Sequence, residues 1–249
     1  FVNTHHFIIL LLLRENKLFQ HQINLPQKKV KNLVIFLHGY NDSISNHQTD
    51  FEVLCHLLPD SIIAMPQSPE LCDKNPSQHQ WFGMLKYDPQ SLRTQPQTSV
   101  TQIFKIYQKA AASIDLCAQN INAFIDKLQQ KYNIDNSHTY LIGFSQGAML
   151  TIYTSISRSH AIGGAFVLSG LAAGRKLLAT KITARPKLYL FHGLDDLKVQ
   201  YKTIKSTVQW LKRHNMQPKV FTYAGLTHHV TALELEKICS IINNTTQKL

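Results

Sequence analysis

A serine between two glycines is the part of this sequence that points most directly to chemistry. Residues 143–147 read GFSQG, a GxSxG pattern, and they lie between the apolar run 140–142 and the helix-compatible segment 148–153. In a sharp turn from strand to helix, glycines leave room for the neighbouring backbone while the central hydroxyl stays exposed at the start of the helix. The pattern therefore predicts Ser145 as a nucleophile.

Two adjacent histidines and two adjacent aspartates are candidates for activating that serine. A serine hydroxyl needs a base near neutral pH, and histidine, with an ordinary pKa of about 6.5, suits that role. His228 and His229 follow the last predicted strand, as the chain order serine, acid, histidine requires. Asp195 and Asp196 are the only acids between the serine and these histidines, and a carboxylate is needed to orient the base. The residues alone therefore leave a one-residue choice for each role.

Backbone N–H groups in two loops are candidates for stabilising the negative oxygen that forms when a serine attacks a carbonyl. One good donor of this kind contributes roughly 3 kcal/mol. The N–H of Gln146, directly after the proposed nucleophile, is the first candidate. The second is the N–H of Tyr40 in the early loop 38–42, where Gly39 lets the backbone approach. His38 precedes the serine in the chain, so we interpret it as a residue that shapes this loop.

The elements that must position these residues alternate between strands and helices. Short apolar runs predict buried strands, and apolar residues spaced three and four apart predict amphipathic helices. This alternation is typical of an α/β fold with a mostly parallel sheet and helices on both faces, in which ligands bind beyond the carboxyl ends of the strands. We predict strands at residues 33–37, 61–66, 140–143, 162–168, 187–191 and 219–223, and helices around residues 51–58, 114–132, 148–153, 204–211 and 235–242.

Length and composition predict a single folded domain. The chain has 249 residues, of which 44% are hydrophobic and 16% charged, so disorder, collagen-like repeats and coiled coil are excluded. We place the catalytic α/β domain at residues 32–249 and interpret residues 1–31 as an N-terminal extension or edge strand. Five of the nine prolines fall within residues 66–100, which we interpret as a long loop or partial lid.

The charge balance raises the question of an anionic partner. The chain carries 26 Lys+Arg against 15 Asp+Glu, a formal net charge of +11. These basic residues are dispersed, so we predict no nucleic acid partner, whereas transient contact with an anionic membrane surface is compatible with them. The apolar run 7–13 is too short to cross a bilayer, and we interpret it as a strand. We expect a cytoplasmic location, and the oligomeric state is open between monomer and homodimer.

The sequence gives no indication of a metal or cofactor site. The four cysteines are widely and irregularly spaced, with no CxxC pair, so we expect reduced thiols. No GxGxxG motif, Walker loop or cluster of metal ligands is present in the sequence. We therefore predict neither a metal nor a cofactor.

The order and spacing of these motifs resemble the phospholipase/carboxylesterase family of α/β-hydrolases, which includes acyl-protein thioesterases, lysophospholipases and small bacterial carboxylesterases. The family's HGxxDxxV spacing assigns the acid to Asp196, and its GxxH spacing assigns the base to His228. Gly83 stands where the thioesterase branch often has Asp, and no proline follows residues 169–171, so the resemblance is to the family rather than to one branch. The matching blocks, in family order, are residues 37–40 with Asp42, 80–82, 143–148, 168–170, 192–199 and 225–228.

The resemblance implies an α/β-hydrolase fold and a serine ester hydrolase of the carboxylic ester class. Ser145 attacks, His228 transfers the proton, Asp196 orients the imidazole, and water releases the acid from an acyl-enzyme. The implied substrate is a small carboxylic ester, a lysophospholipid or an S-acylated protein, because one chemistry serves all three.

Two alternatives accompany this interpretation. Trp81, Phe82 and Met84 in the proline-rich segment are candidates for lining an apolar acyl groove, but the aromatic pair could instead anchor the loop in the core. A different class of function is a catalytically silent binding protein that keeps the fold and holds an anionic partner on a basic surface. Intact residues at every candidate catalytic position favour the enzyme.

Overall fold

A seven-stranded sheet lies at the centre of the computed structural model, which describes residues 19–26 and 29–246. The strands of this sheet are β1 (His21–Asn24), β2 (Asn32–Leu37), β3 (Ser61–Pro66), β6 (Thr139–Phe144), β7 (Gly164–Leu168), β8 (Leu188–Gly193) and β9 (Lys219–Tyr223). A separate two-stranded sheet is formed by β4 (Glu70–Leu71) and β5 (His79–Gln80). The helices are α1 (Gln48–Leu57), α2 (Val100–Lys109), α3 (Ala111–Tyr132), α4 (Gln146–Ile156), α5 (Arg175–Ala179), α6 (Lys202–Arg213) and α7 (Ala232–Thr246). Short 3₁₀ helices cover Ile44–His47, Leu92–Thr94 and Asn136–His138.

The strand order places the ends of β2 and β6 side by side. The order is β1-β3-β2-β6-β7-β8-β9, and among the described strands of this sheet only β1 runs antiparallel to its neighbour. The strand β3 lies on one side of β2, and β6, which comes later in the chain, lies on the other side of β2, where Leu37 pairs with Gly143. Ligands bind beyond the carboxyl ends of the strands at such a change of direction. The loop after β2 and the turn after β6 therefore meet where a ligand site is expected.

Alternating side chains of the strands enter two hydrophobic cores. In β2, Leu33, Ile35 and Leu37 pack with α2, α3, α4 and α6 on one face of the sheet. Val34 and Phe36 pack with α1 and α7 on the other face. All 11 residues of α4 are buried, so the helix that follows the candidate nucleophile is held on every side.

The predicted fold class, a mostly parallel α/β sheet with helices on both faces, is confirmed. Within the described residues, each predicted strand and helix corresponds to an observed one, although the strand predicted at 162–168 begins at Gly164. The N–H of Gly163 is shared between the carbonyl of Asn136, in the 3₁₀ helix before β6, and that of Thr139, the first residue of β6, so regular pairing starts at Gly164. The helices α2 and α5 were not predicted, and β1, an edge strand, lies within residues 1–31, which we interpret from the sequence as an extension or edge strand without an assigned position. The predicted strand at 7–13 lies outside the described residues, and the boundary at residue 32 stays a prediction.

The proline-rich segment 66–100 contains short elements, namely the antiparallel pair of β4 and β5 and the 3₁₀ helix Leu92–Thr94. A bridge between Asp42 and His79 joins the segment to the loop after β2. Its role as a lid stays a prediction. Within the described ranges, no helix is both long enough and apolar enough to cross a membrane.

Candidate active site

The turn after β6 holds Ser145 in a conformation that few side chains adopt. Its φ is 54° and its ψ is −111°, and its N–H donates to the Leu168 carbonyl of the next strand at 2.9 Å. The two flanking residues must be glycines, because any side chain there would clash with neighbouring backbone. A Cβ at Gly143 would lie 2.4 Å from the Gly147 carbonyl oxygen, and a Cβ at Gly147 would lie 2.2 Å from the Leu37 carbonyl oxygen. The GxSxG pattern thus fixes the serine at the start of α4.

A chain of hydrogen bonds joins the serine to a histidine and a carboxylate from two other loops. The Nε2 of His228 lies 2.9 Å from the Ser145 Oγ, and its Nδ1 lies 2.8 Å from the Asp196 Oδ2. The other carboxylate oxygen, Oδ1, accepts the N–H groups of Lys198 and Val199, both at 2.9 Å. An ionised carboxylate only accepts, so the Nδ1 of His228 carries the proton and its Nε2 is free to accept the serine proton.

The neighbouring candidates lie outside this chain of hydrogen bonds. Asp195 is exposed, and its Oδ2 accepts the N–H of Gly225 at 2.8 Å. The Nδ1 of His229 pairs with the Thr227 hydroxyl at 3.2 Å. Of the two acids and two histidines that the residues alone left open, the structure therefore brings Asp196 and His228 to Ser145.

Hydrogen bonds and a neighbouring histidine keep the buried carboxylate of Asp196 ionised. Burial alone would raise the pKa of Asp196, but the hydrogen bond and charge of His228, together with the Val199 N–H, lower it below its usual value. A second histidine, His192, is fully buried and lies 3.6 Å from the same carboxylate. Burial lowers the pKa of His192, and its Nε2–H donates to the Val199 carbonyl at 2.7 Å. His192 is therefore neutral, and its N–H is bound to the Val199 carbonyl rather than to the serine.

The side chain of Gln146 joins the proline-rich segment to α4. Its Oε1 accepts the N–H of Trp81 and its Nε2 donates to the Phe82 carbonyl, both at 2.7 Å. The indole N–H of Trp81 donates to the His38 carbonyl at 2.9 Å, so the segment is also joined to the loop after β2. The N–H groups of Gln146 and Tyr40 donate to no acceptor among the described residues. Both residues line the same cavity, where these N–H groups could bind a developing oxyanion.

The three candidates for substrate binding separate into two groups. Met84 lines the cavity beside the serine. Trp81 and Phe82 are fully buried and are not among the residues that line it. Trp81 packs edge-on against Phe19, with ring centroids 5.6 Å apart. This placement favours the interpretation that the aromatic pair anchors the loop in the core.

A cavity of about 300 Å³ lies beside the serine hydroxyl. Its walls come from the loop after β2, the proline-rich segment, α2, α4 and the loops after β8 and β9. Among the described residues that line it are two lysines and one arginine but no aspartate or glutamate. The lining residues are Tyr40, Asn41, Lys74, Met84, Ser91, Arg93, Thr94, Tyr107, Ser145, Gln146, Met149, Lys198, Val199 and His228.

A buried histidine between two carboxylates supports the loop that carries Tyr40. His47 lies 2.7 Å from the Asp42 Oδ2 through its Nε2 and 2.7 Å from the Asp50 Oδ2 through its Nδ1. Asp42 also accepts the N–H of Gly39 at 3.0 Å. Burial alone would lower the pKa of His47, but the hydrogen bonds to the two carboxylates raise it to about 9. Burial alone would raise the pKa of Asp42, but the hydrogen bond and charge of His47 lower it. We call these three residues the Asp42–His47–Asp50 cluster.

Replacing the histidine of this cluster should cost stability in a way that depends on pH. The folded pKa of His47, about 9, lies above the unfolded value of 6.5, so folding is favoured by proton binding. This stabilisation is complete below pH 6.5 and is lost as the pH rises through 9. We expect His47→Gln to lower the free energy of unfolding by about 3 kcal/mol at pH 6. Urea unfolding from pH 6 to pH 10 measures the difference.

His56→Gln serves as the control for that experiment, because His56 is exposed on α1. Its unfolding free energy should follow that of the original protein at every pH. A His47→Gln difference that stays the same at pH 10 as at pH 6 would show that the cluster does not depend on a charged histidine.

Sequence reasoning missed the Asp42–His47–Asp50 cluster and most of the cavity wall, for example Arg93 and Tyr107. The placement of Tyr107 could have been predicted from the sequence, because Tyr107 follows Ile103 by four residues, the spacing of one helix face. Arg93 carries no such signal, since its position depends on a buried ion pair with Asp88 at 2.8 Å in an irregular segment. Within the part of the chain that the structure describes, no group of three or more His, Cys, Asp or Glu side chains could hold a metal ion.

Comparison with known proteins agrees with this fold. A family model described as phospholipase/carboxylesterase matches residues 19–246. Acyl-protein thioesterase 1 homolog 1 of Dictyostelium discoideum is 29% identical to this chain over 139 residues. That match covers 55% of this chain and 62% of the relative, which is less than two thirds of the relative's length. Acyl-protein thioesterase 1 of Candida albicans is 24% identical over 235 residues, 88% of this chain and 94% of the relative.

A solved structure is similar in fold. The crystal structure of Arabidopsis thaliana SOBER1 has a TM-score of 0.71 at 21% identity and covers 86% of this chain and 98% of that chain. The family match extends over nearly all of the described residues, and the predicted resemblance is thereby confirmed. The chain belongs to the phospholipase/carboxylesterase family.

Proposed function

We propose that this protein is a serine ester hydrolase that works through an acyl-enzyme. The hydrogen-bonded chain of Ser145, His228 and Asp196 carries this proposal. The hydroxyl oxygen of Ser145 attacks the ester carbonyl while its proton passes to the Nε2 of His228. The same nitrogen then gives that proton to the departing alcohol, which leaves an acyl-enzyme. A water molecule next gives a proton to His228 and attacks the acyl group, and the acid leaves as the proton returns to the Ser145 oxygen. Asp196 orients the imidazole and stabilises its charged form.

The two cavity-lining loops supply the donors for the oxyanion in this proposal. The N–H of Gln146 lies at the start of α4, where the helix dipole adds positive potential. The N–H of Tyr40 comes from the loop that the Asp42–His47–Asp50 cluster supports. Each donor would contribute roughly 3 kcal/mol of transition-state stabilisation.

The size of the cavity favours a small carboxylic ester as substrate. Pockets that hold drug-sized ligands range from about 300 to 1,000 Å³, and this cavity, at about 300 Å³, lies at the small end. Its lining mixes Met84 and Met149 with many polar residues, which suits a short acyl chain better than a long one. Relatives are named both carboxylesterase and acyl-protein thioesterase, so the substrate class must be tested directly. The cytoplasmic location and the choice between monomer and homodimer stay predictions.

A fluorophosphonate probe tests the proposal, because it reacts with activated serines. We expect it to add once to the protein, and peptide mass spectrometry should locate it on Ser145. Hydrolysis rates of 4-nitrophenyl esters with acyl chains from two to sixteen carbons should fall steeply beyond short chains. A lysophospholipid and an S-palmitoylated peptide complete the panel, and a rate optimum on either would overturn the small-ester assignment. Absence of both labelling and hydrolysis would favour the catalytically silent binding protein.

A further inference from the structure

We propose that the cavity beside Ser145 selects esters that carry a compact anionic group, a carboxylate or a phosphate, and that Lys198 and Lys74 bind that group. This inference rests on the proposed function. The walls of the cavity, as far as the described residues form them, include Lys74, Arg93 and Lys198 but no aspartate or glutamate. A cavity with one sign of charge and low-dielectric walls concentrates ligands of the opposite sign.

The charge of Arg93 is already balanced within the protein. Its guanidinium lies 2.8 Å from the Asp88 carboxylate, and both side chains are buried. It also stacks over the Tyr40 ring, with 5.5 Å between the guanidinium carbon and the ring centroid. Arg93 is therefore a fixed part of the wall, and it leaves the two lysines as the cations available to a ligand.

Lys74 is held at the cavity without a carboxylate of its own. Its Nζ donates to the Ser91 hydroxyl at 2.5 Å, and Ser91 is another lining residue. The adjacent carboxylate, Asp73, is engaged elsewhere, because it accepts the Tyr40 hydroxyl and, at 2.8 Å, the N–H of Met84. The ammonium of Lys74 thus keeps N–H donors for a ligand.

Lys198 is the less constrained of the two cations. Its backbone is fixed, because its N–H donates to the Asp196 carboxylate at 2.9 Å, which places the residue beside the proposed reaction centre. Its ammonium makes no ion pair or hydrogen bond with the described residues. Asp196 is not its counterion, because that carboxylate binds His228 and backbone N–H groups and forms no ion pair with the ammonium of Lys198. An anionic substrate group would supply the missing partner.

Pairs of esters in which methylation masks the anionic group of one member test the inference, with each rate divided by that of the uncatalysed hydrolysis of the same ester. The carboxylate pair is 4-carboxyphenyl acetate against 4-(methoxycarbonyl)phenyl acetate, and the phosphate pair is 2-acetoxyethyl phosphate against its dimethyl ester. We expect kcat/KM to be about tenfold higher for the anionic member of at least one pair, as for a charge-assisted hydrogen bond. The pair with the larger ratio identifies the preferred anion. The ratio should fall as NaCl is raised to 0.5 M, because salt screens the attraction.

Variants assign the preference to the lysines. Lys198→Gln should lower the charged-to-neutral ratio of kcat/KM about threefold, mainly through KM, and Lys198→Arg should restore most of it. Adding Lys74→Gln should bring the ratio close to one. Lys205→Gln, at an exposed position on α6 away from the cavity, is the matched control and should keep the full ratio.

The outcomes separate this inference from the proposed function. Turnover of both esters in each pair with no preference for the anion would overturn the inference alone. Equal losses on charged and neutral esters in Lys198→Gln would also overturn it, because they would indicate a structural role. Absence of turnover for every ester, together with absence of fluorophosphonate labelling, would overturn the proposed function and this inference with it.

Discussion

Replacing Ser145 with alanine should lower kcat for a short carboxylic ester by about 10⁴-fold or more. Under the proposed mechanism the serine oxygen forms the covalent bond to the substrate, and alanine offers no atom that could do so. The remaining activity would come from the oxyanion donors and from binding alone. KM should change little, because the hydroxyl acts in the transition state rather than in ground-state binding. Hydrolysis of 4-nitrophenyl acetate, corrected for the uncatalysed reaction, measures the loss.

Ser169→Ala is a closely matched control for that substitution. Ser169 is buried and has a φ of 50°, close to the 54° of Ser145. Its N–H donates to the Phe191 carbonyl of the next strand, just as that of Ser145 donates to Leu168. Removal of its hydroxyl should change kcat by less than tenfold. Equal losses in the two variants, or a Ser145→Ala protein that keeps its rate, would contradict the nucleophile assignment.

The fold and the position of the serine could be predicted because their signals are local. The apolar run of β6, the GxSxG turn and the helix after it lie within residues 139–156, and each element is specified by its own side chains. The helix α2 also had local signals, with Ser99 as the N-cap and Ile103 and Tyr107 on one face, although the proline-rich segment before it obscured them. The polar edge strand β1 had no such signal, because it is defined by its pairing with β3.

Contacts between distant residues decided what the sequence left open. The choice between the aspartates came from family spacing, and in the structure it depends on which carboxylate meets His228 across 32 residues. The burial of Trp81 depends on its hydrogen bond to Gln146, 65 residues away. The Asp42–His47–Asp50 cluster depends on how the loop after β2 folds back on α1. No periodic pattern encodes such pairings, so only a three-dimensional structure reveals them.

Asp196→Asn should lower kcat by about 10³- to 10⁴-fold while the fold stays intact. The Oδ1 of Asp196 accepts the N–H groups of Lys198 and Val199, so the amide oxygen of asparagine should take that position. Its NH₂ group then replaces Oδ2 and faces the Nδ1 of His228. Because the NH₂ group can only donate there, Nδ1 must lose its proton and Nε2 must carry one. A protonated Nε2 cannot accept the proton of Ser145.

The neighbouring variant Asp195→Asn separates this tautomer effect from a general loss of negative charge. Asp195 is exposed and accepts only the Gly225 N–H among the described residues, so its variant should keep kcat within about fivefold. His192 cannot replace the lost acceptor, because it is neutral and its Nε2–H is committed to the Val199 carbonyl. Similar losses of kcat in both variants would mean that the two aspartates act through their combined negative charge. A loss confined to Asp196→Asn would mean that one carboxylate sets the histidine tautomer, as the hydrogen-bond geometry requires.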